Sequence, residues 1–270
     1  MMFLKTSVAE AISFLLVLLC LTTPCPSFGE SEDLQDKFEN GTELIEAARR
    51  EPDPMQRARL LQDAIKSVQK LVEQHPDHDL AITARLQLGN VNAELAREQV
   101  KRANLSVNAE LEKDARYKAR VFLTAAIRLF EEIEKKLRDE LQGGQVGDKD
   151  RESRIKLRGD YLQAKLLIAA STEEMADTHD SKDGKRDELL MVAADQYHEC
   201  YKGFRTRLAG LYARLYEGRC LQKRHEYDKA LGIYEELLEQ PAGGAPIDSL
   251  RKKASDLAES CRQERDSKKD

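Results

Sequence analysis

The chain has 270 residues, a formal net charge of -5, 34% charged residues of both signs, 6% aromatics and no tryptophan. That balance excludes a general polyanion-binding surface, which needs clustered Lys and Arg to neutralise phosphates. Abundant Leu, Ala, Glu, Lys and Arg, with no sustained alternation of β-branched residues, exclude a sheet protein and predict an all-α class.

In chain order, Lys5 precedes the apolar run Ile12–Leu21, and Pro24, Pro26 and Ser27-Phe28-Gly29 follow it. A short apolar core with a positive flank and small residues at the cleavage positions predicts a signal peptide over residues 1–29, cut after Gly29, and hence a periplasmic or secreted protein. The run is about half of the ~20 residues that cross a bilayer. Leu19 and Pro24 precede Cys20 and Cys25 where a lipoprotein needs a small residue, so no lipid anchor is expected.

Residues 30–54 read as one weak N-terminal helix with Asn40-Gly41 in its middle, closed by the joint at Pro52 and Pro54. Residues 55–141 read as degenerate helical repeats. The first helix there carries Leu61, Ala64, Val68 and Leu71 and stops at His75-Pro76. The next runs from about Asp79 to Ala103, and a long helix follows with an unbroken stripe from Ala115 to Leu141. A glycine-rich linker occupies 142–151. Residues 152–240 hold further helix pairs: about Glu152 to Thr178 with Ile155 buried, Leu189 to Phe204, Leu208 to Gln222 and Tyr227 to Glu239. Residues 241–270 form a capping helix with Leu250, Ala254, Leu257 and Cys261, then a charged, frayed tail from Gln263.

Little in this pattern carries chemistry. Cys200, Cys220 and Cys261 lie on apolar stripes and read as buried thiols, with a Cys200–Cys220 bridge as the alternative in an exported protein. His75-Pro76-Asp77-His78-Asp79 clusters ligand types but sits in a turn, without zinc-site spacing. In Asp177 to Gly184, His179 stands where a calcium loop requires its first carboxylate. The sequons at Asn40 and Asn104 carry meaning only in a eukaryotic secretory pathway. No nucleophile elbow or phosphate-cradling loop is present, so neither catalysis, metal nor cofactor is expected.

Four segments share a small-large-apolar signature on one helical face: Ala64-x3-Val68-x2-Leu71, Ala126-x3-Phe130-x2-Ile133, Ala193-x3-Tyr197-x2-Cys200 and Ala230-x3-Tyr234-x2-Leu237. The alanine permits close approach of two helices and the larger residue fills the adjacent groove. The signature resembles the second helix of a tetratricopeptide repeat (TPR). The copy in 208–239 is the best, with Gly218, Tyr227, Ala230 and Tyr234 at the family's spacings, while Pro76 and Leu88-Gly89 resemble its terminal proline and Leu-Gly pair. The alanines lie 62, 67 and 37 residues apart, against a usual period of ~34. Arg85 and Arg214 replace the family's early aromatic, and the helices between Asp79 and Leu141 are longer than its own.

The resemblance implies a right-handed α-solenoid of antiparallel helix pairs, some unusually long. It implies a groove that holds a protein segment, with Asn90, Arg219 and Lys223 on the groove face. The expected function is a non-catalytic protein-binding adaptor or scaffold of the cell envelope, with no nucleic-acid partner. A self-associating helical spacer and the N-terminal part of a longer array are the alternatives.

Overall fold

The computed structural model describes residues 30–76, 78, 80–143, 151–241 and 243–267. The expected leader, Asp77 and Asp79 of the histidine cluster, and residues 144–150 of the glycine-rich joint lie outside the described residues. Within them the fold is all-α, with nine helices: α1 (Glu30–Arg50), α2 (Pro54–Gln74), α3 (Leu80–Leu105), α4 (Ala109–Gln142), α5 (Arg151–Ala176), α6 (Gly184–Gly203), α7 (Leu208–Lys223), α8 (Tyr227–Leu238) and α9 (Ala245–Asp266). None of these is long and apolar enough to cross a membrane.

The chain divides into two compact units at Ala84/Arg85. In the first, α1 packs on α2. Asn40-Gly41 lies in the middle of α1, and a methyl group on Gly41 would overlap the side chain of Val68, so the glycine is the seat that lets α2 approach. Asp53 starts α2 by accepting from the Met55 amide at 2.8 Å, with Pro54 in the first turn, where its missing N–H costs nothing.

In the second unit α4 packs on α5, α5 on α6, α6 on α7, α7 on α8, and α9 on both α7 and α8. Ala96 of α3 meets Ala119 and Leu123 of α4, with Phe122 and Met175 beside them. Asn108 caps α4, accepting from the Glu110 and Leu111 amides at 2.9 and 3.2 Å.

Ala64, Ala126, Ala193 and Ala230 are all buried, as are Phe130, Tyr197, Tyr227 and Tyr234. Three of the four large residues rest on a glycine of the preceding helix: Val68 on Gly41, Phe130 on Gly89, and Tyr234 on Gly218. The fourth, Tyr197, lies 5.6 Å, ring centre to ring centre, from Tyr216 and donates its hydroxyl to Glu173 at 3.3 Å.

Three local expectations are corrected. Ile155 is exposed rather than buried, because no described neighbour covers the first turn and a half of α5 and Leu157 is the first buried residue. Helix α6 starts at Gly184 rather than near Leu189, because Asp183 caps it by accepting from the Lys185 amide at 2.9 Å. Residues Gln263 to Asp266 belong to α9 rather than to a frayed tail, held by Glu264 accepting from Gln222 at 2.9 Å and by Arg265 facing Asp228 at 3.3 Å.

His225 ends α7 with φ 65°, left-handed backbone that favours glycine. The Glu226 amide bonds back to Leu221 O and the His225 amide to Gln222 O, the pattern of a glycine-type helix stop. His225→Gly relieves that strain and gives up the part-buried contact of the imidazole with the Tyr227 hydroxyl and ring. Stabilisation of about 0.5–1 kcal/mol is expected, read as a rise in thermal midpoint, whereas His225→Ala should give none.

Candidate functional site

Helix α7 is the hub of the second unit. Its polar side chains leave on several sides and together meet several neighbouring helices. Glu173, in the last turn of α5, is 1% exposed. Arg219 donates to both of its oxygens at 2.8 and 2.6 Å, a forked pair that fixes both planes. Lys223, one turn further along α7, stands 2.9 Å from the same carboxylate and 2.8 Å from Asp177. Burial alone would raise the Glu173 carboxyl, but Arg219 and Lys223 outweigh it and hold the group at about 2. Burial likewise disfavours the charges of Arg219 and Lys223, and Glu173 more than restores them.

Next to this triad Glu174 pairs with Arg97 of α3 at 3.1 Å. Burial raises the Glu174 carboxyl despite that arginine. The free carbonyls just past the end of α5 receive Arg116 and Arg120 of α4, which donate to Asp177 O and Thr178 O at 3.4 and 3.1 Å. Cationic donors at a helix C-terminus satisfy its orphan acceptors and oppose its dipole.

A second constellation ties α6, α7 and α8. Arg214 donates to Glu236 at 2.7 Å and to both oxygens of Glu217 at 2.8 Å. Tyr201 donates its hydroxyl to Glu236 at 2.6 Å, and His198 Nδ1 is 3.2 Å from Glu217. Burial opposes the Glu236 charge, but Tyr201 and Arg214 keep its carboxyl below the ordinary value. Gln222 completes the hub by accepting from the Tyr234 hydroxyl and donating to Glu264, both at 2.9 Å.

Of the expected groove residues, Arg219 and Lys223 are thus committed to carboxylates of their own chain. Asn90 sits half-buried on α3, two turns before Arg97, and belongs to neither constellation. A different edge of α7 is half-buried, with Tyr216 in the core and Tyr212 and Lys253 partly exposed. Tyr212 and Tyr216 stack at 6.2 Å, Arg219 lies 4.6 Å over the Tyr216 ring, and Lys253 of α9 lies 5.2 Å over the Tyr212 ring. Burial and then the nearby Arg219 push the Lys253 amine below its ordinary value. Lys253 has no carboxylate partner among the described residues, so this edge carries an unneutralised cation framed by aromatic rings.

Sequence reasoning missed Glu173 as a site residue, although a signal was there. Leu162, Leu166, Ala169 and Glu173 continue one helical stripe, and an acid on a buried stripe demands a cation opposite it. Tyr212 and Lys253 gave no such signal, since both occupy ordinary positions on amphipathic helices.

The remaining candidates hold little chemistry. Cys200, Cys220 and Cys261 are free and buried, and burial pushes Cys200 and Cys261 up to about 11, which disfavours the nucleophilic thiolate. His78 accepts from the Leu80 amide at 3.2 Å, and His179 pairs with Asp183 at 2.7 Å, so both serve turns. Among the described residues no group of three metal-ligating side chains converges.

The fold and this site define an all-α protein organised around a polar hub helix. Comparison with family models, with curated proteins and with solved structures finds no match to the chain.

Proposed function

We propose that the chain is an exported, non-catalytic adaptor or scaffold of the cell envelope that holds a protein segment on a TPR-like helical groove. The reading includes a right-handed solenoid of antiparallel helix pairs and export directed by residues 1–29. Three glycine seats beneath the large residue of a repeated Ala-x3-large signature support the repeat. The observation that carries the binding role is Lys253, a cation beside two stacked tyrosines and without a counter-ion among the described residues. The bound segment supplies a carboxylate to Lys253 and apolar surface to the exposed part of Tyr212.

The test is a photo-crosslinker placed at Tyr212, envelope extract, and identification of the crosslinked peptide. The expected product is a partner peptide with an acidic residue or C-terminus near the crosslink. Its yield should fall about tenfold in Lys253→Glu, equivalent to ~1.4 kcal/mol, and be kept in the exposed neighbour control Lys252→Glu. No crosslinked protein above background, or equal loss in both variants, would count against the reading.

A further inference from the structure

Helix α4 carries apolar side chains on two faces. Ala115, Ala119, Leu123, Ala126, Phe130, Ile133 and Leu137 are buried against its neighbours. On the side away from them, Leu111 is 62%, Tyr117 61% and Val121 51% exposed. Val107, just before the Asn108 cap, is fully exposed. A residue at that position ordinarily packs on an apolar residue one turn into the helix, but here that position is the charged Glu112. Nothing in the core needs these residues, and isolated apolar residues on a helix surface rarely line up over three turns.

The charged residues on this face have an order of their own. Asp114 and Lys118 form a 2.7 Å pair, each about half-exposed, in the middle of the apolar stretch. Leu111 and Val121 stand five positions either side of Arg116, and Asp114 and Lys118 two positions either side. In two antiparallel helices related by a two-fold axis, residues equally far from the axis face one another. An axis at Arg116 therefore sets Leu111 against Val121 of the second copy and Asp114 against Lys118 of the second copy. Each contact occurs twice, and Tyr117 and its copy flank the axis.

We infer that this face of α4 is a self-complementary interface through which two copies of the chain associate as a two-fold dimer. A partner of different sequence would need no such palindromic spacing. Three turns of helix bury less than the ~1,200–2,000 Å² of a standard stable interface. The dimer is therefore weak, with a dissociation constant of about 10–500 µM. It is independent of the Lys253 edge, which lies on other helices.

The decisive measurement is sedimentation velocity of the full chain over about 5–500 µM. Wild type should shift from monomer to dimer. Asp114→Lys sets lysine against lysine at both contacts, and Lys118→Asp sets aspartate against aspartate, so each variant alone should associate at least about tenfold more weakly. An equimolar mixture of the two should form a heterodimer. The lysine introduced in one chain then meets the aspartate introduced in the other, and the native Lys118 of the first meets the native Asp114 of the second, although neither chain regains its internal pair. Val121→Lys should be monomeric. All three substituted positions are exposed, and unchanged helical circular dichroism verifies the fold. A wild type monomeric at the highest concentration, association indifferent to Val121→Lys, or a mixture that stays monomeric overturns the proposal.

Discussion

Glu173→Gln is expected to cost about 3–5 kcal/mol, the range for removing one partner of a buried ion pair. The amide leaves Arg219 without its forked acceptor and Lys223 with only Asp177, while both cations remain largely shielded from water, their side chains 18% and 25% exposed. For a unit of this size the thermal midpoint should drop by about 6–20 °C. Replacing the whole cluster in Glu173→Leu/Arg219→Met/Lys223→Met should recover most of the loss, because apolar groups of similar volume carry no desolvation penalty.

The same carboxylate gives a signed pH dependence. Its native value of about 2 lies below the ordinary 4.5, so its contribution is complete above pH 4.5 and is lost as pH falls from there towards 2. The contribution at neutral pH is about 3 kcal/mol. Glu174 acts in the opposite sense, because burial raises its carboxyl and the native state prefers it protonated. The useful quantity is therefore the stability of wild type minus that of Glu173→Gln, measured by denaturant unfolding between about pH 2 and 7, the interval in which the carboxyl titrates. The difference should be flat above pH 5 and shrink below 4.5. A constant difference across the range would mean that Glu173 is not ionised in the fold.

The helices themselves were legible in the sequence. Apolar spacing found every one, and the buried alanines at 64, 126, 193 and 230 are the ones that the repeated signature marked. Boundaries failed where a polar residue did more than break a helix. Asp183 adds a turn to the start of α6 by a local cap on the Lys185 amide, whereas the pairs of Glu264 and Arg265 that extend α9 depend on Gln222 and Asp228, distant in the chain. Ile155 failed for the converse reason: its stripe is helical, but no neighbour among the described residues buries the start of α5.

The site was less legible than the helices. Arg219 and Lys223 were placed on a binding face by position, and their nearest acceptor turned out to be Glu173, 46 residues earlier than Arg219 in the chain. Periodicity tells which side of a helix faces a neighbour but not which acid that neighbour presents. The hub also explains why α7 has no clean polar face. Its polar groups are spent inward on α5, α6, α8 and α9, so a hydrophobic stripe is only part of what orients it.

The glycine seats lead to a prediction in which the sign of a mutation reverses. Phe130 is fully buried, and a methyl group on Gly89 would overlap its ring. Gly89→Ala gains about 0.5–1 kcal/mol of helix propensity. It should nonetheless destabilise by about 1–3 kcal/mol, because a ring packed on all sides cannot retreat. Phe130→Ala should cost about 3–5 kcal/mol by opening a cavity directly over Gly89. In that background the Gly89→Ala methyl has room. It keeps its propensity gain and adds about 0.8 kcal/mol of burial, so the double variant should be more stable than Phe130→Ala alone by about 1–2 kcal/mol. Urea unfolding of the four proteins closes the cycle, with a coupling of about 2–4 kcal/mol, towards the upper end of what contacting residues show. Additive effects would place Gly89 and Phe130 out of contact, and the seat would then lose its role in bringing α3 and α4 together.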